Sequence, residues 1–410
     1  MTASHSVRSV LATTDVHSAL GASASFLGHL HEARSDSLLV DCGDFFEGTG
    51  YYRLGRGALE RDVLLGLYDV IAPGNHGWAH YFEPALHQRT VCANAVDDAT
   101  GTPLFRRLRI VEVAGRPTAV TGAIGLQAFD SIPVAQRSGQ RAVEPVKALR
   151  ELMLAHHHEV DSWVLLSHSG FEEDLGLAES CPFLDVIFAG HCHSNHTGPT
   201  HIGSTLVLKG RELGVGYAVA THAPDRWAGR TALFSDTAGD TTPSVLPPEL
   251  ASVRDRIAAF DAQLAEPLGR IAEPYRSEQL DRRALAQNLA DRLRSGLGRD
   301  AVVLNETALR TTVLGEILTT GDLLAIEPFA NSLVEACIAP AHRHDTEALL
   351  SHLTERVGPL VTSPDPLPSG LTNVLTTDYL ADSCLGGRTR PVGLSLGSAI
   401  RSTLTNGDDQ

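Results

Sequence analysis

Residues 37–49 read SLLVDCGDFFEGT, a short Leu- and Val-rich run that breaks into a turn where Asp41 and Asp44 flank Gly43. Four residues of that kind are too few for a helix and fit a buried strand that ends at the polar turn. The same succession recurs along the first half of the chain. Val7–Ala12 leads into Asp15-Val16-His17, and Asp69–Ala72 leads into Gly74-Asn75-His76. Ser162–Leu166 leads into Ser167-His168-Ser169, and Asp185–Ala189 leads into Gly190-His191-Cys192-His193. Segments with helical spacing lie between them, such as Val146–His156. Strand, polar turn and helix in repetition predict an α/β domain.

Each run stops at a side chain able to ligate a metal. In an open α/β sheet, binding crevices form beyond the carboxyl ends of the strands, so residues distant in sequence converge there. The i, i+2 spacing of Asp15/His17 and of His191/His193 suits an extended backbone that projects both side chains the same way. Cys192, between two of these residues, is then expected to point away from them. Carboxylates, imidazoles and one amide without thiolates suit Mn²⁺, Zn²⁺, Fe²⁺ or Co²⁺. Two such ions roughly 3.5–4 Å apart clamp an in-line displacement at phosphorus.

Composition excludes several alternatives. Of 410 residues, 43% are hydrophobic and 20% charged, so the chain should fold throughout. An excess of 49 acidic over 33 basic residues, net −16, disfavours a nucleic acid polymer as partner. The start MTASHSVRSV lacks the features of a secretory signal, and no run of 18 apolar residues occurs, which predicts a cytoplasmic protein without a membrane partner. Six cysteines without CxxC pairs predict reduced, mostly buried thiols. His156, His157 and His158 close a helical segment, where cations complement the dipole, and read as surface. A Pro-rich stretch at 237–248 marks a boundary, and Leu250, Val253, Ile257, Phe260 and Leu264 predict a helix before Pro267.

The order DxH, GD, GNH, H, GHxH resembles that of the calcineurin-like metallophosphoesterases. The pieces DCGDFFEGT, CANAV, LLSHSGFEEDLGLA and VIFAGHCHS are similar to the 5′-nucleotidase branch in particular. The resemblance implies a four-layer αββα metallophosphoesterase domain over 1–236, a linker and interdomain helix over 237–266, and a smaller, shortened α+β substrate domain over 267–410. It also implies two divalent ions. Asp15, His17 and His193 would bind one, Asn75, His168 and His191 the other, and Asp44 would bridge, with His76 facing the phosphate as transition-state stabiliser or proton donor.

The stretch NETALRTTVLGEILTTGDLLAIEPFANSL resembles the family's nucleoside-binding segment. By position it implies that Asn305, Arg310 and Asn331 contact substrate, with Arg299 as a second arginine and Phe329 and Tyr379 as stacking aromatics. Two positions depart from the pattern. The carboxylate that the family places three residues after its catalytic His is replaced here, in Gly77-Trp78-Ala79-His80, so His76 is expected to deprotonate more easily, with Glu83 or His80 as candidate substitutes. Leu385 stands where the family has a ribose-binding Asp, which implies an altered sugar. The implied activity is hydrolysis of a nucleoside 5′-monophosphate or a modified, biosynthetic nucleotide. A 2′,3′-cyclic-nucleotide phosphodiesterase, a UDP-sugar hydrolase and a non-catalytic nucleotide binder remain open.

Overall fold

The computed structural model describes residues 7–21, 23–223, 226–237 and 246–405; most of the Pro-rich boundary, 238–245, and the tail 406–410 lie outside them. The chain divides into two compact units, one made of 1–47 and 54–259, the other of 48–53 and 260–410.

Two sheets organise the first unit. In one the strand order is Trp227–Leu233, Gly216–His222, Ser9–Thr13, Ser37–Asp41, Val70–Ile71, with the last three parallel. In the other it is Thr200–Ile202, Thr205–Leu208, Val186–Ala189, Ser162–His168, Arg116–Ile124, Leu108–Val113, again with a parallel centre and antiparallel edges. Alternate residues explain how they stack. Val10, Ala12, Leu38 and Val40 of the first sheet share one buried cluster with Val164, Leu166, Val186 and Phe188 of the second. Side chains on a strand alternate between faces, so the intervening Leu165 and Ile187 point outward. There they meet Leu149 and Leu152 of helix Pro145–His156 and Leu177 of helix Phe171–Ser180. Helix Ser23–Ala33 packs on the strand Ser37–Asp41 of the first sheet. Strands buried on both faces need continuous apolar runs, which is why these segments read as Leu and Val without alternation.

The first strand starts at Ser9 rather than Val7, and Val7 packs at the edge of the core. The third shortens to Val70–Ile71 because Asp69 turns its carboxylate to the Leu39 N–H at 3.1 Å. A helix covers Pro248–Leu264 with Leu250, Val253 and Ile257 buried.

In the second unit a five-stranded sheet has the order Leu360–Ser363, Val302–Asn305, Asn373–Thr377, Ser332–Cys337, Thr389–Ser395. Helix Arg282–Leu297 covers it, started by Asp281, whose carboxylate accepts the N–H groups of Arg283 and Ala284, and stopped by left-handed Gly298. The segment Gly48–Arg53 belongs to this unit although it lies far upstream in sequence: the Tyr51 hydroxyl donates to Asp261, and Gly50 lies against Leu264 and Leu324.

Candidate metal centre

Register sets where the parallel strands of the first unit stop. Thr13 lies beside Asp41 and Asp41 beside Ile71, while Ile124 lies beside His168 and Ser167 beside Ala189. The loops that follow are bonded to one another. Asp15 N–H donates to Gly43 O at 3.0 Å, His17 N–H to Asp44 O at 2.9 Å, and His76 N–H to the Asp44 carboxylate at 2.7 Å. Such close approach needs glycine at 74, where a Cβ would fall 2.1 Å from Asp44 Oδ1. Asp15, His17, Ser18, Asp44, Glu47 and His191 all have positive φ between 49° and 74°. For residues with a side chain that conformation costs roughly 1–2 kcal/mol each. Strain concentrated in these loops implies that the fold holds the side chains in place against local preference.

The structure brings the seven residues together. Asp15, His17 and His193 offer ligand atoms within 4.8 Å of one another, as do Asp44, His168 and His191. His17 Nε2 is 3.7 Å from Asp44 Oδ2, which joins the groups, and His168 Nε2 is 3.2 Å from Asn75 Oδ1. His76 adjoins them, its ring edge-on to His17 with centroids 5.0 Å apart. Asp15, His17, Asp44, Asn75 and His168 are buried, whereas His193 is exposed.

Orientation comes from the surrounding bonds. Asp15 accepts Thr14 Oγ1–H at 2.5 Å and His191 N–H at 3.0 Å. His168 Nδ1 donates to Cys42 O at 2.8 Å, which leaves Nε2 for the cluster. Lys209, wholly buried, donates to Ser194 O at 2.9 Å and pairs with Glu212 at 3.0 Å, and the other oxygen of Glu212 is 3.9 Å from His193 Nδ1. The Cys192 sulfur is engaged elsewhere, accepting the Phe171 N–H at 3.1 Å.

Electrostatics separates these groups. Burial alone would raise Asp44, but His168 at 3.3 Å, with His76 and His17 behind it, pulls it below the usual carboxylate range. Burial opposes charge on His168, yet Asp44 pushes it up to about 9. Burial takes His17 down to about 3 and, together with His168, takes His191 down to about 4. These two imidazoles are therefore neutral with open lone pairs, and His17 Nε2 is buried without a hydrogen-bond partner among the described residues. Two buried carboxylates beside neutral imidazoles, with one orphaned ring nitrogen and only nitrogen and oxygen donors, fit divalent cations.

Two expectations about His76 need correction. Its ring nitrogen Nδ1 is 3.0 Å from Glu47 Oε2, so neither Glu83 nor His80 replaces the missing carboxylate. Those two bind each other at 2.6 Å, and Glu83 also holds Arg61 at 2.6 Å. Nor is His76 easier to deprotonate: burial works against its charge, but Asp44 and the Glu47 hydrogen bond outweigh burial and hold the pKa above its ordinary value. Glu47 escaped the sequence reading although it lies three residues beyond Asp44 in the opening stretch. Lys209 and Glu212 escaped it too, their only signal being a lone lysine at the end of an apolar run.

In the second unit, strand pairing decides which residues meet. Val302 lies beside Leu375 in parallel and Leu333 beside Thr377 in antiparallel register, so Asn305, Asn331 and Tyr379 reach the same end of the sheet. Arg310 stacks over Phe329, 5.4 Å from the ring centre. Phe329 and Tyr379 are 42% and 47% exposed, which separates them from core aromatics. Asn331 donates to Glu327 at 3.0 Å, and Asn305 donates to Thr307 at 2.7 Å while its buried carbonyl oxygen has no partner among the described residues. Arg299 does not join them. It precedes the strand that Asn305 ends, and it pairs with Glu335 at 3.3 Å. Leu385 packs against an apolar cluster containing Val303, Leu353 and Leu380. None of the six cysteines is paired; three are buried and Cys337 is exposed. No helix among the described residues is long and apolar enough to cross a membrane.

A family model described as calcineurin-like phosphoesterase matches residues 8–195. A probable 5′-nucleotidase of Treponema pallidum is 27% identical over 195 residues, 43% of this chain and 32% of that protein. The human 5′-nucleotidase is 26% identical over 180 residues, 40% of this chain and 31% of that one, so the matches span about a third of the length of these relatives. A solved 5′-nucleotidase precursor from Thermus thermophilus shares the fold, with a TM-score of 0.71 at 17% identity over 97% of this chain and 96% of its own.

Proposed function

Because residues 8–195 match the family model of calcineurin-like phosphoesterases, we propose that this chain is a dinuclear-metal phosphomonoesterase that hydrolyses a nucleoside 5′-monophosphate or a modified nucleotide. The observation that carries the reading is the pair of ligand groups joined through Asp44. Asp15, His17 and His193 would hold one ion, Asn75, His168 and His191 the other, with Asp44 shared. Bound there, a pair of divalent cations supplies positive charge to the phosphoryl oxygens and lowers the pKa of an attacking water. The chain does the rest. Thr14 and the His191 N–H fix the Asp15 carboxylate, and Cys42 O fixes the His168 tautomer. His76, whose pKa Asp44 and Glu47 raise above its ordinary value against burial, is suited to donate a proton to the departing oxygen or to steady the charge that develops on phosphorus.

The nucleotide part of the proposal is supported by the sheet end in the second unit. Exposed Phe329 and Tyr379 offer stacking faces worth about 1–3 kcal/mol per base. Arg310, Asn305 and Asn331 supply donors and acceptors beside them. Leu385 offers no hydrogen bond to a sugar hydroxyl, which favours a nucleotide with a modified sugar. A cytoplasmic location is supported by six unpaired cysteines. The deciding experiment is phosphate release by Mn²⁺-loaded protein across nucleoside monophosphates, cyclic nucleotides, a UDP-sugar, sugar phosphates and an aryl phosphate. Turnover of at least one nucleoside monophosphate well above the sugar phosphates is expected; equal low rates on all would end the nucleotide reading.

A further inference from the structure

We infer that Glu47 is the positioning residue for His76, taking the place of the carboxylate absent from the His76 segment; the inference rests on His76 acting at the phosphoryl group as proposed above. The contact is direct: His76 Nδ1 and Glu47 Oε2 are 3.0 Å apart, and the two side chains are 28% and 30% exposed. Glu47 is the one carboxylate hydrogen-bonded to that ring among the described residues. Ala79 carries only an exposed methyl, His80 is bound to Glu83, and Asp44 accepts from the His76 backbone N–H rather than from the ring.

The backbone at Glu47 supports a built contact. Its φ is 63°, and Gly48 follows at 107°. A glutamate gains nothing locally from that conformation, and positions held in it cluster where geometry serves function. The turn carries the carboxylate back towards the loop that bears His76, and so joins a residue beyond Asp44 to a residue beyond Asn75. The consequence is chemical. An Nδ1–H bonded to Glu47 leaves Nε2 as the nitrogen available to substrate and fixes the ring against rotation, the role a carboxylate plays behind a catalytic imidazole.

Glu47→Gln keeps the size and removes the charge; its amide can donate to Nδ1 and so favour the opposite tautomer. Expected are a kcat lower by about 10²-fold or more with KM changed less than about threefold, unchanged metal content, and partial recovery in Glu47→Asp. An independent readout needs no substrate. In metal-free protein at alkaline pH, two-bond ¹H–¹⁵N spectra should show the proton of His76 on Nδ1 in the wild type and on Nε2 in Glu47→Gln. Wild-type kcat in Glu47→Gln together with an unchanged tautomer would overturn the inference. Absence of turnover in the wild type on every ester would instead defeat the phosphatase reading, while the spectra would still decide whether Glu47 sets the ring.

Discussion

The loops around Asp44 and the sheet end around Phe329 are made by the same device, strands that stop side by side, yet they are finished in opposite ways. Around Asp44 the ligand-type side chains are mostly buried, the loops hydrogen-bond to one another, and the backbone is held in left-handed conformations at six residues. Around Phe329 the aromatic faces stand nearly half exposed, and Arg310 lies over one of them. Grouping charge in a desolvated site requires prior organisation, because reorganising dipoles during a reaction would cost what the site is meant to supply. Binding a planar base requires only an open apolar face.

The largest effect that could break this contrast belongs to the shared carboxylate. Asp44→Asn should lower phosphate release by on the order of 10³-fold or more and reduce bound metal below two ions per chain. Normal metal content in that variant, measured by elemental analysis, would show that the two groups of ligands do not depend on each other. A smaller and differently shaped effect is expected at the other region. Phe329→Ala should raise KM for a nucleoside monophosphate by roughly 10–100-fold, the equivalent of one lost stack, and leave turnover of a small aryl phosphate unchanged. Equal losses on both substrates would mean that the exposed aromatic serves the reacting centre instead.

The smallest effect sharpens the comparison through pH. In metal-free protein the folded state raises His168 from 6.5 to about 9 and Asp41, through burial, from 3.8 to about 8. A group raised on folding contributes stability that is complete below its unfolded pKa and lost as pH climbs through the folded one. Asp41 therefore loses its share between about pH 4 and 8, and His168 between 6.5 and 9. His17 and His191, lowered to about 3 and 4, act in reverse and remove stability as pH falls below 6.5. The metal-free protein should melt on the order of 10 °C lower at about pH 9 than at about pH 6.5, since the shifts of His168 and Asp41 cover about four pKa units in that interval, each worth about 1.4 kcal/mol, and each kcal/mol is worth about 2–4 °C at this size. Added divalent metal must displace the His168 proton, so its stabilising shift should grow over the same interval. Calorimetric melting with and without chelator measures both, and a metal-induced shift independent of pH would place the proton elsewhere.

Strand, turn and ligand were legible together because each physical requirement leaves a local mark. A strand buried on both faces needs a run such as SLLV, and the turn after it needs Gly and Asp. What escaped was of another kind. The carboxylate at Glu47 is ordinary in sequence, and its value comes from a left-handed turn that brings it to a ring 29 residues downstream. Lys209 is an ordinary lysine in the sequence, yet it is wholly buried and bonded to Ser194 O, next to His193. Arg299 reads as a partner of Arg310, but the strand between them separates their directions, and Glu335 takes it.

Amino-acid order alone determined the α/β rhythm, the places where strands stop and the ligand types waiting there, since periodicity and turn chemistry act over a few residues. Only the tertiary structure decided which carboxylate faces His76, which arginine lies over Phe329 and how protons divide among Asp44, His168 and His17. Those outcomes depend on distances of about 3–5 Å between segments far apart in the chain and on burial, and no local pattern records either.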